Sequence, residues 1–161
     1  MPRPMSREGY DKIQAEIEHL WHAERPQIVA SVHAAAELGD RSENAEYIYG
    51  KRRLREIDSR LRYLRSKIDD VQIVDLDRQP SFPTVRFGAR VVVEDDEGER
   101  RVFRLVDKDE SDVSRGRISV QSPIGRALLG KRPGDAVEVV LPKGTATYEL
   151  IELAYGPDPA P

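Results

Sequence analysis

The sequence predicts an α+β protein, with an N-terminal antiparallel α-helical coiled-coil hairpin followed by a small β-rich domain carrying one short helix. Three observations predict it. Apolar residues recur at helical spacing along two stretches of the N-terminal half, and a glycine followed by helix-capping residues divides those stretches. Past a segment holding two prolines, the pattern changes to short strand-like runs.

From Ser6 to Leu38 the periodic positions are Tyr10, Ile13, Ile17, Leu20, Trp21, Ile28, Val32, Ala35 and Leu38, with polar residues between them. That is an amphipathic helix. Pro26 lies inside it and removes a hydrogen bond, so a kink is expected there. In the second stretch Leu54, Ile57, Leu61, Leu64, Ile68 and Val71 alternate steps of three and four, the a/d seam of a coiled coil. Leu38-Gly39-Asp40-Arg41-Ser42-Glu43-Asn44 separates the two, and a connection this short makes the helices antiparallel neighbours. Helices of about thirty residues at 1.5 Å rise give a rod about 45 Å long, with its tip at that turn.

The expected domains are residues 1–76 for the hairpin, 77–84 for a linker, 85–156 for the β-rich domain and 157–161 for a loose tail. Strands are expected at Ala89–Glu94, Arg101–Val106, Arg117–Val120, Ala136–Leu141 and Thr145–Leu153. Asp95-Asp96-Glu97-Gly98 and Pro142-Lys143-Gly144 read as hairpin turns. Ser122-Pro123 starts a short helix running to about Leu129, with serine as cap and proline at the first helical position.

Composition excludes several classes of function. With no cysteine there is neither a disulfide framework nor a thiolate zinc site, and a reducing cytoplasm is the expected home. No run is apolar enough for a signal peptide or a membrane span. A net charge of −3 argues against a protein that coats nucleic acid, although the charge is unevenly placed. Lys51, Arg52, Arg53, Arg55, Arg60, Arg62, Arg65 and Lys67 crowd the second helix, a cationic face behind an acidic turn. Such a face attracts phosphates, yet it also suits ordinary solvated flanks of a coiled coil. On spacing alone, Asp40 and Glu43 read as a variant capping box.

The run Leu38-Gly39-Asp40-Arg41-Ser42-Glu43-Asn44-Ala45-Glu46-Tyr47, flanked by Leu20-Trp21, Glu24-Arg25-Pro26 and Lys51 to Asp58, resembles the Gre transcript cleavage factors, most of all the GreB branch. Ser119 to Lys131 is similar to that family's C-terminal signature, so the resemblance spans nearly the whole chain. It implies a coiled coil that enters the secondary channel of bacterial RNA polymerase and an FKBP-like domain that grips the channel rim. It further implies that Asp40 and Glu43 support a second Mg²⁺ at the polymerase active centre, stimulating the polymerase's own cleavage of backtracked RNA. Lys51, Arg52, Arg53 and Arg55 are then the candidate contacts to the nascent RNA 3′ end, and Gln121, Ser122 and Pro123 the candidate docking residues. Some GreB members carry an acid where Gln121 stands.

The chemistry suits that reading. Phosphodiester hydrolysis gains from two metals, and Mg²⁺ takes one or two carboxylates plus phosphate and water oxygens. Two carboxylates about 6 Å apart repel by about 3 kcal/mol at an effective dielectric near 20, so in a narrow channel they favour a cation. The expectation is a monomeric cytoplasmic factor that is not itself an enzyme and binds no membrane. The rival expectations are a secondary-channel modulator without cleavage and a peptidyl-prolyl isomerase, the latter opposed by the few aromatics of the C-terminal half. Gly125 to Lys131 has Walker A spacing, but Arg132 and Pro133 stand where the motif needs a hydroxyl and a helix. His19 and His22 lie a turn apart without an evident third metal ligand.

Overall fold

The computed structural model describes residues 2–39, 41 and 43–159. It divides into two units, one formed by Tyr10–Val71 and the other by the residues through Gly9 together with those from Gln72 onward. The fold class is α+β.

The helical unit is a hairpin. α1 (Arg7–His19) passes through a π-helical turn (Leu20–Glu24) into α2 (Arg25–Ala36), and α3 (Ala45–Ile68) returns. Pro26 was expected to kink the first helix. The chain widens to π-helix in the five residues ahead of α2, whose first turn holds Pro26, and a π-bulge and a proline are both local causes of helix bending. The core is the predicted seam: Ile17, Leu20, Ile57, Leu61 and Leu64 are buried, with Ile13, Ile28 and Ile68 packed on them. Val71 departs from it. Helix α3 stops at Ile68, Asp70 takes a left-handed φ of 53°, which acids tolerate better than most residues, and Val71 enters a strand. Trp21 also leaves the seam; 45% exposed, it has the guanidinium groups of Arg25 and Arg65 within 5.4 and 5.3 Å of its ring. Near the tip Gly50 is buried, and a Cβ there would stand 2.4 Å from Val32 Cγ2.

The other unit is built on a five-stranded sheet of β3 (Arg90–Asp95), β4 (Arg100–Val106), β5 (Arg117–Ser119), β6 (Ala136–Leu141) and β7 (Gly144–Ala154) in the order β5-β4-β3-β7-β6. Only β4 and β5 run parallel. The alternation of Val91, Val93, Leu105, Val137, Val139 and Leu150 delivers one face of the sheet to a core that Leu128 of α4 (Pro123–Leu128) completes. Both expected hairpin turns are present, with Gly98 and Gly144 at positive φ.

Two short strands were not foreseen. β1 (Arg3–Ser6) pairs with β2 (Val71–Val74), which brings the N-terminal segment into this unit. The expected boundary near residue 76 thus gives way to crossings at Gly9 and Val71. Within residues 77–84, expected as a linker, three side or main chains are tied to the unit: Gln79 Nε2 donates to Phe87 O at 2.8 Å, Phe82 meets Tyr155 edge to face, and Tyr155 Oη donates to Thr84 O at 2.5 Å. Of the expected tail, Pro157 to Pro159 are exposed and outside any strand or helix, while Ala160 and Pro161 lie outside the described residues.

Candidate functional site at the hairpin tip

The turn is built by a helix stop and a helix start. α2 ends at Ala36, Leu38 N–H reaches Ala35 O at 3.1 Å, and Gly39 takes φ 120° in open space. The new helix is capped by Asn44, whose Oδ1 accepts from Tyr47 N–H at 3.1 Å. The same side chain turns its Nδ2 to Ala35 O at 2.8 Å, so one residue closes the start of α3 and binds it to the end of α2.

This corrects the capping-box reading of the acidic pair. Asp40 lies outside the described residues, but Glu43 sits one residue ahead of the cap, not at the third helical position. Its carboxylate is exposed at the turn. Arg41 lies over the ring of Tyr47 at 5.6 Å, directing that cation along the hairpin side. Leu38, Ile48 and Tyr49 are exposed close by.

The basic residues separate into two groups. Arg53 is committed within the hairpin, with Nε donating to Glu24 Oε1 at 2.7 Å and Nη1 to Glu56 Oε2 at 3.3 Å; the bond to Glu24, then that to Glu56, raises its pKa. Arg25 likewise holds Asp58 at 2.8 Å across the helices, and Arg60 holds Glu16 at 2.7 Å. Lys51, Arg52 and Arg55 are exposed, with no ion-pair partner among the described residues. At 100° per residue they fall within one sector of α3, opposite the buried Ile57 and Leu61. The spacing in the sequence named all four cations but not this division, because Glu24 is 29 residues from Arg53.

At the other candidate surface, Ser122 Oγ accepts from Gly125 N–H at 3.1 Å and donates to Ser119 O at 2.6 Å. Ser122 is therefore the cap of α4, with Pro123 at its first position. Gly125 is tied to that loop, since a Cβ would meet Ser119 O at 2.1 Å. Gln121 and Pro123 remain exposed on either side of the half-buried serine. The histidines do not share a site: His22 faces Glu18 at 3.3 Å and His19 faces Glu24 at 4.0 Å.

Comparison with known proteins matches both parts of the chain. The family model for the N-terminal part of transcription elongation factors of the GreA/GreB type covers residues 3–73, and that for the GreA/GreB C-terminal part covers 79–155. Over 153 residues the chain is 49% identical to transcription elongation factor GreB of Yersinia pestis, covering 95% of this chain and 89% of that one. GreB of Pseudomonas aeruginosa is 46% identical over 153 residues, with 94% and 90% covered. Among solved structures, the GreA factor homolog Gfh1 of Thermus thermophilus aligns over 96% of this chain and 99% of that chain, with a TM-score of 0.43 and 22% identity.

Proposed function

We propose, for a chain that belongs to the GreA/GreB family of transcription elongation factors, that its hairpin tip enters the RNA polymerase secondary channel and stimulates the polymerase's own cleavage of backtracked RNA. The observation that carries this reading is Glu43, an exposed carboxylate that the neighbouring Asn44 releases from helix capping. Asp40 and Glu43 together would hold the second Mg²⁺ jointly with the polymerase, and the two ions would between them help form hydroxide and stabilise the leaving oxygen. The chain's own residues do the rest. Asn44 ties the two helices at the turn, while Lys51, Arg52 and Arg55 lie behind the tip where phosphates of the RNA 3′ end would be held. Arg53 keeps the helices together and serves the RNA indirectly. Gln121 and Pro123, flanking the Ser122 cap, form the docking loop on the channel rim. The protein acts as a monomer in the cytoplasm and supplies no catalysis alone.

The test is a backtracked polymerase with a 5′-labelled transcript. Wild-type factor shortens the RNA; Asp40→Ala and Glu43→Ala each reduce shortening at saturating factor by about 100-fold or more, the scale of losing one transition-state stabiliser. Polymerase affinity stays within a few fold. If the affinity fell as far as the cleavage, the carboxylates would be docking groups and the metal assignment would fail.

A further inference from the structure

The first turn of α1 is closed from far away in the chain. A helix leaves its first N–H groups without partners inside the helix. A capping box answers two of them: the cap hydroxyl accepts from the third helical N–H, and a glutamate at that third residue reaches back to the cap's own N–H. Ser6 supplies the first half, its Oγ accepting from Gly9 N–H at 3.0 Å. The second half cannot come from position nine, which is glycine. It comes from Glu110, 104 residues away, whose Oε1 accepts Ser6 N–H at 3.0 Å and Ser6 Oγ–H at 2.6 Å.

Glu110 serves a second cap at the same time. Its Oε2 accepts Asp107 N–H at 3.3 Å, completing the capping box of the short 3₁₀ turn Lys108–Glu110. The glycine at position nine follows from this sharing, because a Cβ there would stand 1.7 Å from Glu110 Oε1. Other bonds hold the same segment: Arg3 Nη1 lies 2.6 Å from Asp107, and Glu8 lies 3.0 Å from Arg115 and 3.2 Å from Arg117. Met5 and Ser6 are fully buried. Every one of these residues belongs to the β-rich unit. Burial raises the pKa of Glu110 and the charge of Asp107 adds to it, opposed by the donors on Ser6 and Asp107.

We propose that Glu110 is a positioning residue for transcript cleavage, supplying in trans the glutamate half of a capping box so that α1 starts from one fixed turn on the Asp107–Glu110 loop. The role in cleavage rests on the function proposed above, whereas the shared cap does not.

Three variants separate a cap from a positioning contact. Glu110→Ala leaves Ser6 N–H without its acceptor. Gly9→Glu alone collides with Glu110. Gly9→Glu with Glu110→Ala places the carboxylate in the vacated space and rebuilds the box within the helix, but without the bond to the loop. In Glu110→Ala, amide exchange over Ser6–Gly9 is expected to speed up about 10-fold or more, the scale of a lost bond to a charged acceptor. The double variant should recover most of that protection. Cleavage at saturating factor should fall about 10-fold in Glu110→Ala and stay low in the double variant, with polymerase affinity within about 3-fold, since misplacement by 1 Å costs rates on this scale or above. Glu110→Gln, which keeps an acceptor for Ser6, should retain most of both and thereby show that loss in the alanine variant is not mere unfolding. Unchanged exchange in Glu110→Ala overturns the shared cap. Full recovery of cleavage in the double variant reduces Glu110 to a helix cap. If wild-type factor left the transcript uncut, the function proposed above would fall together with the positioning role, while the exchange measurements would still judge the cap.

Discussion

At the scale of single residues, Asn44 does more than its place in the sequence suggests. Asp40, Ser42 and Asn44 are all residue types that cap helices, and nothing local ranks them. A bond across the turn goes with the choice: the Asn44 amide carries both an acceptor for Tyr47 N–H and a donor for Ala35 O, a pairing that an ionised carboxylate cannot make. Asn44→Ala loses both bonds, and its cost to unfolding stability is expected at about 2 kcal/mol, a cap plus one further hydrogen bond. Asn44→Asp keeps the acceptor and loses the donor, so about half that cost is expected. Urea unfolding should order the three proteins wild type, Asp variant, Ala variant; an Asp variant as stable as wild type would deny the bond to Ala35 any net contribution. The same logic explains why the acidic pair was ambiguous in the sequence. Carboxylates three residues apart at a turn read on spacing alone as a capping box, and that reading ends for Glu43 once the cap is found at Asn44.

Between whole elements, the hairpin is held by a seam the sequence pattern displays and by ties it does not. The steps of three and four from Leu54 to Ile68 predict the buried face of α3, because a helix repeats its environment every 3.6 residues. Arg53, Arg60 and Lys67 repeat every seven residues beside the seam, the spacing of coiled-coil flanks, but the partners in cross-helix pairs such as Arg53–Glu24 and Arg25–Asp58 lie far along the chain and no local pattern names them. β1 and β2 escaped notice for a related reason: each is four residues long, and their partnership is set by the fold around them. Gly50 tests the seam near the tip. An added methyl raises helix propensity by about 1 kcal/mol but must displace Val32, and overpacking typically costs 1–3 kcal/mol, so Gly50→Ala is expected to be destabilising by up to about 2 kcal/mol. Making the change in a Val32→Ala background should remove the penalty and leave the propensity gain; additive costs in the two-variant cycle would show that the helices have room to part. The pair Arg25–Asp58 adds a pH dependence. The hydrogen bond from Arg25 holds the Asp58 carboxyl below its usual range, and desolvation only partly opposes it. The folded chain therefore binds that proton less readily than the unfolded chain, and the pair's contribution is present above the ordinary aspartate pKa and lost as pH falls through the depressed one. Exposure limits it to about 0.5 kcal/mol. Asp58→Asn should flatten the acid limb of the stability curve by that much, and an unchanged slope between pH 5 and pH 3, the approach to an ordinary aspartate pKa, would deny the pair its linkage.

For the whole molecule, charge is arranged by place and not by total. The chain carries −3 overall, with 26 basic against 29 acidic side chains, so its long-range field does not draw free RNA. The exposed cations Lys51, Arg52 and Arg55 act over about one Debye length, near 8 Å at physiological salt, so under the proposed function they bear on a transcript only when a polymerase holds it beside them. Two outcomes are expected from this. The factor alone should fail to retain a labelled RNA oligomer at 0.15 M salt, a physiological ionic strength, because too few phosphates are met to overcome its net charge. In the backtracked complex, crosslinking of the RNA 3′ end to the rod should weaken as salt rises, and replacing all three cations by alanine should reduce the magnitude of that log–log slope by about 2, from three contacts at about 0.7 each on a single strand. Arg53→Ala should leave the slope nearly unchanged and lower hairpin stability instead, since its guanidinium is already spent on Glu24 and Glu56. A slope reduced as much by Arg53→Ala as by Arg52→Ala would mean that the hairpin's ion pair opens on binding, and the division between structural and RNA-facing cations would have to be abandoned.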